Sequence, residues 1–152
     1  MIPMTLRDAP LEEIAALTAQ IPEFDLPYQL PDYQQRLADT PYRARVMEVA
    51  GEAAGFMVGY ARDDSEFYCW MAGVLPDFRR LGLSQLLLTD HMEAAAEAGY
   101  QRLTVKSRNR YPAMLRLLIQ NGFHLVALEK RGDDPQDHRL HLEKTPSTTC
   151  EG

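Results

Sequence analysis

Two arginines and a bare glycine stand where an apolar run gives way to a leucine-rich one, in "GVLPDFRRLGLSQLL" from Gly73 to Leu87. A helix that opens there presents unpaired backbone N–H groups and a partial positive charge, a ready site for an anion. Gly82 lets a ligand approach the backbone, Ser84 is small and can donate its hydroxyl, and Arg79 and Arg80 add charge-assisted hydrogen bonds. A pyrophosphate would fit the backbone turn, and a further phosphate an arginine. A second basic run holds Arg102, Lys106, Arg108, Arg110 and Arg116 with no acid among them. Two local clusters suit a small polyphosphate better than a polymer, although solvated faces on a random charge distribution remain the plain alternative. The net charge of −6 argues against nucleic acid as the partner, because a polyanion needs a broad basic face.

Those residues need elements to hold them. Hydrophobic periodicity and breakers predict a short strand at "MTLR" and a helix in "DAPLEEIAALTAQI" capped by Asp8. "IPEFDLPYQLP" is irregular, and a second helix starts at Pro31. "RARVMEVA" and "AAGFMVGYAR" read as a hairpin about Gly51-Glu52. "EFYCWMAGVL" is a long buried strand. A helix with Leu83, Leu86, Leu87, Ala94 and Ala95 on its apolar stripe follows and ends at Gly99. "RLTVKS" is a strand, "YPAMLRLLIQNG" a helix, and "FHLVALEK" and "DHRLHLEK" a closing strand pair. The expected fold is a mixed α/β domain, a central and mostly antiparallel sheet flanked by helices. One domain spans residues 1–144, and residues 145–152 are expected to form a flexible tail.

With 152 residues, 45% of them hydrophobic, the chain can bury a core without metals or disulfides. Cys69 and Cys150 make no CxxC pair, no stretch approaches the ~20 apolar residues of a membrane helix, and the N-terminus has no secretory pattern. The expectation is a soluble cytoplasmic protein with no membrane partner. His138 and His141 are separated so that a strand sends them to opposite faces, and no third ligand is in view, so no metal is expected. His91 and His124 have no recognisable partner in the sequence.

The run "VLPDFRRLGLS" resembles the acetyl-CoA motif of the GNAT N-acetyltransferases, Arg/Gln-x-x-Gly-x-Gly/Ala after a strand ending in Val-x-Pro. Val74, Pro76, Arg79, Gly82 and Ser84 fall in register. A second element agrees: "LTVKSRN" ends at Asn109 and "LLIQNGF" at Gly122-Phe123, and the order of elements matches from Met4 to Lys144. The resemblance implies acetyl-CoA as co-substrate. Arg79, Arg80, Leu81, Gly82, Leu83 and Ser84 would bind its pyrophosphate, Gly73 and Val74 would hold pantetheine and the thioester, and Asn109 would contact pantetheine. It implies direct attack by a primary amine of a small molecule or a peptide, with no enzyme-bound acyl intermediate. "IPEFDLPYQLPDYQQ" would line the acceptor site, and a homodimer is a further implication.

The departures are specific. Ser84 replaces Gly or Ala, Arg80 stands where many relatives have Gly, and two extra residues lie between Asn109 and Gly122. Leu118 stands where many members carry the tyrosine that protonates the leaving thiolate. Strand alternation puts Glu66, Tyr68, Trp70, Ala72 and Val74 on one face. Tyr68 falls where histone-type relatives place a glutamate base; with a pKa near ~10 it would orient a water, hold the acceptor or act as an acid. Glu66 is then the proton acceptor, if a side chain is needed, and Tyr111 the substitute acid. For each, core packing or a solvent-facing rim is the plain alternative. Cys69 points to the other face, which argues against a cysteine acyl-enzyme. Two rival functions stand beside the transferase. A catalytically silent acyl-CoA-binding regulator is motivated by Leu118. A dinucleotide-binding enzyme is disfavoured by the missing Gly-x-Gly-x-x-Gly. The acidic balance favours a cationic amine acceptor over an acidic one.

Overall fold

The computed structural model describes residues 2–146, so most of the expected tail lies outside the described residues. The elements run β1 (Met4–Asp8), α1 (Leu11–Thr18), α2 (Leu30–Leu37), β2 (Tyr42–Val49), β3 (Glu52–Ala61), β4 (Glu66–Val74), α3 (Leu83–Glu97), β5 (Arg102–Arg108), α4 (Pro112–Gln120), β6 (His124–Glu129) and β7 (Arg139–Lys144). The strands form one sheet in the order β1-β2-β3-β4-β5-β7-β6. The β4–β5 pairing is parallel, whereas β1–β2, β2–β3, β5–β7 and β6–β7 are antiparallel. The mixed α/β fold with a mostly antiparallel sheet is thus the one expected.

The chain divides into two compact units. The first takes the chain up to Ala61 together with Trp70–His91, the second Arg62–Cys69 and the chain from Met92 on. In the first unit, α1 and α2 bury Ile14, Leu17, Tyr33 and Leu37 against Val46, Phe56 and Val58 of β2 and β3. The fully buried Thr18 hydroxyl donates to Ile14 O (2.8 Å) and shares a hydrogen bond with the Tyr33 hydroxyl (2.6 Å). Burial pushes the Tyr33 phenol up to about 12. Helix α2 begins with a reciprocal cap between Gln29 and Asp32.

Three local expectations shift. Asp8 does not cap α1: it stays in β1 opposite Arg45, to which it is ion-paired at 3.1 Å, and Pro10 takes the cap position without a side-chain bond. The hairpin turns at Ala50-Gly51, not Gly51-Glu52, since both have positive φ (52° and 85°) and Glu52 already belongs to β3. Along α3 the buried stripe is Leu83, Leu87, Leu88, His91 and Ala95, while Leu86 is exposed. The helical period carries Leu86 off the face that Leu83 and Leu87 define.

In the second unit, Glu66–Cys69 of β4 pairs with Arg102–Val105, and β5 continues against β7 to Arg108. Phe67, Leu103, Leu118, Phe123, Leu140 and Leu142 fill its interior. Lys144 Nζ donates to Asn121 O at 2.7 Å, placing a cation at the C-terminal end of α4.

His91 makes the fold acid-sensitive. It is 1% exposed, and burial, reinforced by Arg43 and opposed by Asp90, lowers its pKa to about 3 from 6.5. Between these values the unfolded chain binds the proton and the native one does not, so stability falls as pH drops below 6.5. The expected loss from pH 7 to pH 5 is about 2 kcal/mol. Denaturant titrations at both pH values check it: His91→Gln should lose about 2 kcal/mol less than the parent, and equal losses would assign the acid sensitivity elsewhere.

Candidate active site

Strand β4 ends at Val74, and the Leu75 N–H donates to Ala54 O at 2.8 Å, which pins the strand end to β3. A 3-10 turn, Pro76–Phe78, reverses the chain, Arg79 is extended, and Arg80 and Gly82 adopt positive φ (67° and 79°) immediately before α3. Left-handed residues in such a turn curl successive amides toward one side, the geometry of an anion nest. The first amides of α3 add to it, because they have no partner within the helix. A Cβ placed on Gly82 would meet nothing within 4 Å, so the side-chain position of this glycine is open space. Leu83, 2% exposed, anchors the helix start in the core, and Ser84 is half-buried.

The two arginines have separate duties. Arg79 Nε donates to Val74 O (3.2 Å), and its two terminal nitrogens fork onto the Glu23 carboxylate at 2.8 Å each. The guanidinium lowers the Glu23 pKa, and Glu23 raises that of Arg79. Both groups are well over a third exposed, so the pair stabilises the loop only modestly. Arg80 is exposed and makes no ion pair among the described residues. Gly73 is closely packed: a Cβ there would lie 2.3 Å from Ile21 Cδ1 and 3.2 Å from Phe56 Cε1. Gly55 meets it from β3, its own built Cβ being 3.0 Å from Gly73 O.

The second unit holds a cavity of about 230 Å³ lined by Arg62, Glu66, Tyr68, Arg102, Lys106 and His141, among others. Glu66 is 9% exposed and its oxygens are engaged. Oε1 accepts from Arg102 (3.1 Å), and Oε2 accepts from Thr104 Oγ1 (2.7 Å) and Arg62 (3.4 Å). The Tyr68 ring lies under the Arg62 guanidinium, 3.8 Å from its centroid, with Lys106 Nζ at 5.5 Å. Burial, and then the positive charge of Arg62 and Arg139, lowers the Lys106 pKa, with Glu129 opposing. His141 Nε2 is 3.2 Å from Glu129 Oε1.

The candidates therefore fall in groups. Gly73, Val74 and Arg79–Ser84 come together in the first unit, and Glu66 and Tyr68 share the cavity of the second. Asn109 Nδ2 donates to Pro135 O at 3.0 Å, and Tyr111 occupies the N-cap of α4, so both border the β6–β7 connector or the helix start rather than the cavity lining. Leu118 is 1% exposed, a core side chain. Cys69 is buried, which pushes its thiol up to about 12. Among the described residues no group of three His, Cys, Asp or Glu gathers as a metal site, and no helix is long and apolar enough to cross a membrane. Sequence reasoning missed Glu23 as the partner of Arg79, and Arg62, Thr104 and Lys106 as companions of Glu66. The basic run from Arg102 was the available signal, but the strand divides it: Arg102 and Lys106 line the cavity, while Arg110 pairs with Asp137 at 2.8 Å.

Residues 30–105, half of the chain, match the family model described as an acetyltransferase (GNAT) domain. No curated protein matches the chain. Among solved structures, the ribosomal-protein-S18-alanine N-acetyltransferase from Escherichia coli is similar, with TM-score 0.84 and 17% identity over 99% of this chain and 98% of that one. A phosphinothricin acetyltransferase from Sinorhizobium meliloti, in complex with acetyl-CoA, is similar with TM-score 0.77 and 16% identity, covering 97% and 90%. A GNAT family acetyltransferase from Elizabethkingia anophelis with acetyl-CoA bound gives 0.72 and 17%, covering 93% and 97%. The similarity to these structures is one of fold.

Proposed function

The chain belongs to the GNAT acetyltransferase family, and from that premise we propose that this enzyme moves the acetyl group of acetyl-CoA to a primary amine by direct attack. The observation that carries the cofactor reading is the left-handed turn at Arg80–Gly82 directly before α3, with open space at Gly82. Backbone amides from Leu81 to Ser84 would hold the pyrophosphate, and Arg80, without an ion-pair partner among the described residues, would meet a further phosphate. Arg79 acts on the loop itself, because its guanidinium is held by Glu23 and Val74 O. Acetyl-CoA supplies an activated thioester. The backbone of Gly73 and Val74 would flank it, and Asn109, whose Nδ2 is bound to Pro135 O, offers its amide oxygen to pantetheine.

The amine nitrogen bonds to the acetyl carbon as the carbon–sulfur bond breaks; the amine gives up a proton and the thiolate takes one. Because Glu66 is surrounded by donors, its role in this reading is to fix Arg62, Arg102 and Thr104 beside Tyr68, and solvent takes the amine proton. Tyr111 is the substitute acid, since the core position of Leu118 offers no hydroxyl.

Thermal unfolding with acetyl-CoA, dephospho-CoA and NAD at matched concentrations tests the cofactor reading. Acetyl-CoA at a hundred times its dissociation constant should add about 2.7 kcal/mol, a rise of several degrees. Dephospho-CoA should add less and NAD nothing. No rise with saturating acetyl-CoA would show the nest to be only a helix cap. Turnover with an amine would then separate a transferase from a binding module.

A further inference from the structure

We propose that the cavity beside Tyr68 binds the carboxylate of the acceptor, so that the acceptor class is an amino-carboxylate, a molecule carrying both the amine to be acetylated and an organic acid. This rests on the reading of the chain as an amine acetyltransferase. The charges inside the cavity carry it. Three basic side chains, Arg62, Arg102 and Lys106, line it against two carboxylates, Glu66 and Glu143. Both carboxylates are engaged: Glu66 by Arg102 and Arg62, and Glu143 by Arg102 at 3.7 Å. His141 is turned to Glu129. That leaves Lys106 with no ion pair among the described residues, and Arg62 with only a long contact of 3.4 Å to Glu66. The two cations flank one tyrosine ring. Both would gain from a bound anion, and a neutral or cationic ligand would leave an excess positive charge partly removed from water.

The parallel β4–β5 pairing runs from Glu66↔Arg102 to Cys69↔Val105, and Lys106 is the first β5 residue beyond it. A volume of about 230 Å³ admits the carboxylate end of an acceptor with room for a short side chain. The chain as a whole carries a net charge of −6, which favours cationic ligands at long range. Inside the cavity the local groups decide, because charges within a few ångströms outweigh a screened distant field.

The test offers the common L-amino acids, each beside its primary amide, as acceptors with acetyl-CoA, and follows the acetylated product. The expected result is at least a tenfold larger kcat/KM for the acid than for the amide in the pairs that react. In Lys106→Met that ratio should fall toward one, chiefly through KM for the acid, and Lys106→Arg should restore part of it. Titration of the free protein with the same pairs, read from the amide resonances of Tyr68 and Lys106, gives a second readout that needs no cofactor. Equal use of acids and amides, or an acid preference unchanged in Lys106→Met, overturns the proposal while leaving the transferase intact. If acetyl-CoA itself fails to bind, the transferase reading fails, and the resonance titration still decides whether the cavity takes a carboxylate.

Discussion

Gly82→Ala is expected to raise the KM for acetyl-CoA by about tenfold or more, a loss near 1.4 kcal/mol of binding, while the fold loses only the cost of a left-handed alanine, about 1–2 kcal/mol. The two effects have different origins. At φ 79° an L side chain is strained whatever surrounds it, yet its Cβ would enter open space, so packing is not disturbed. If that space belongs to the pyrophosphate, the added methyl group holds the phosphate oxygens away from the amides. Gly132 supplies a matched control. Its φ is 66° and a Cβ there also meets nothing within 4 Å, but it stands in the β6–β7 connector of the second unit. Gly132→Ala should therefore show a similar fall in Tm and an unchanged KM. Equal KM changes in the two variants would mean that global softening, and not the nest, sets affinity for acetyl-CoA.

Gly73→Ala should lower the unfolding free energy by about 1–3 kcal/mol, the usual cost of overpacking. The new methyl group would arrive 2.3 Å from Ile21 Cδ1 and 3.2 Å from Phe56 Cε1, so Ile21 must shift. Ile21 is 4% exposed and Phe56 fully buried, so the shift has to be taken up within the packed core. Truncating the obstacle tests the cause. Ile21→Val deletes Cδ1 at a cost of about 0.5–1.5 kcal/mol, and the double variant should then be clearly more stable than the sum of the two single losses implies. Denaturant titrations of the four proteins measure this. Strict additivity would show that Gly73 is needed for some reason other than the contact with Ile21.

The turn before α3 could be read before any coordinates because its signals are local. Proline, arginine and glycine act through their own dihedrals and charges, and the helix start needs only the next few residues. The β2 and β3 segments were legible for the same reason, since alternation survives whatever the strand pairs with. What failed was set by partners distant in sequence. Asp8 has the right type for a cap, but Arg45 lies across the β1–β2 register and holds it in the strand. Glu23, the ion-pair partner of Arg79, was also missed, because it lies 56 residues away in a proline-rich stretch with no periodicity to interpret. Alternation put Glu66 and Tyr68 on one face, and the resemblance to the family singled out Tyr68. Their surroundings, Arg62, Thr104 and Lys106, depend on which strand lies beside β4 and in what register, and composition carries no such information.

Trp70 is the chain's single tryptophan, and its ring lies 5.2 Å from Tyr33, 5.4 Å from Tyr28 and 5.8 Å from Tyr60, with the Arg36 guanidinium 4.7 Å from its centroid. Three donors of excitation surround one acceptor, at separations where light absorbed by the tyrosines is re-emitted by the indole. A permanent cation over the ring also tunes the colour of that emission. The molecule therefore contains its own fluorophore, placed on β4 under the segment that joins α1 to α2. Movements of Tyr28 or Arg36 would alter the spectrum without any added dye.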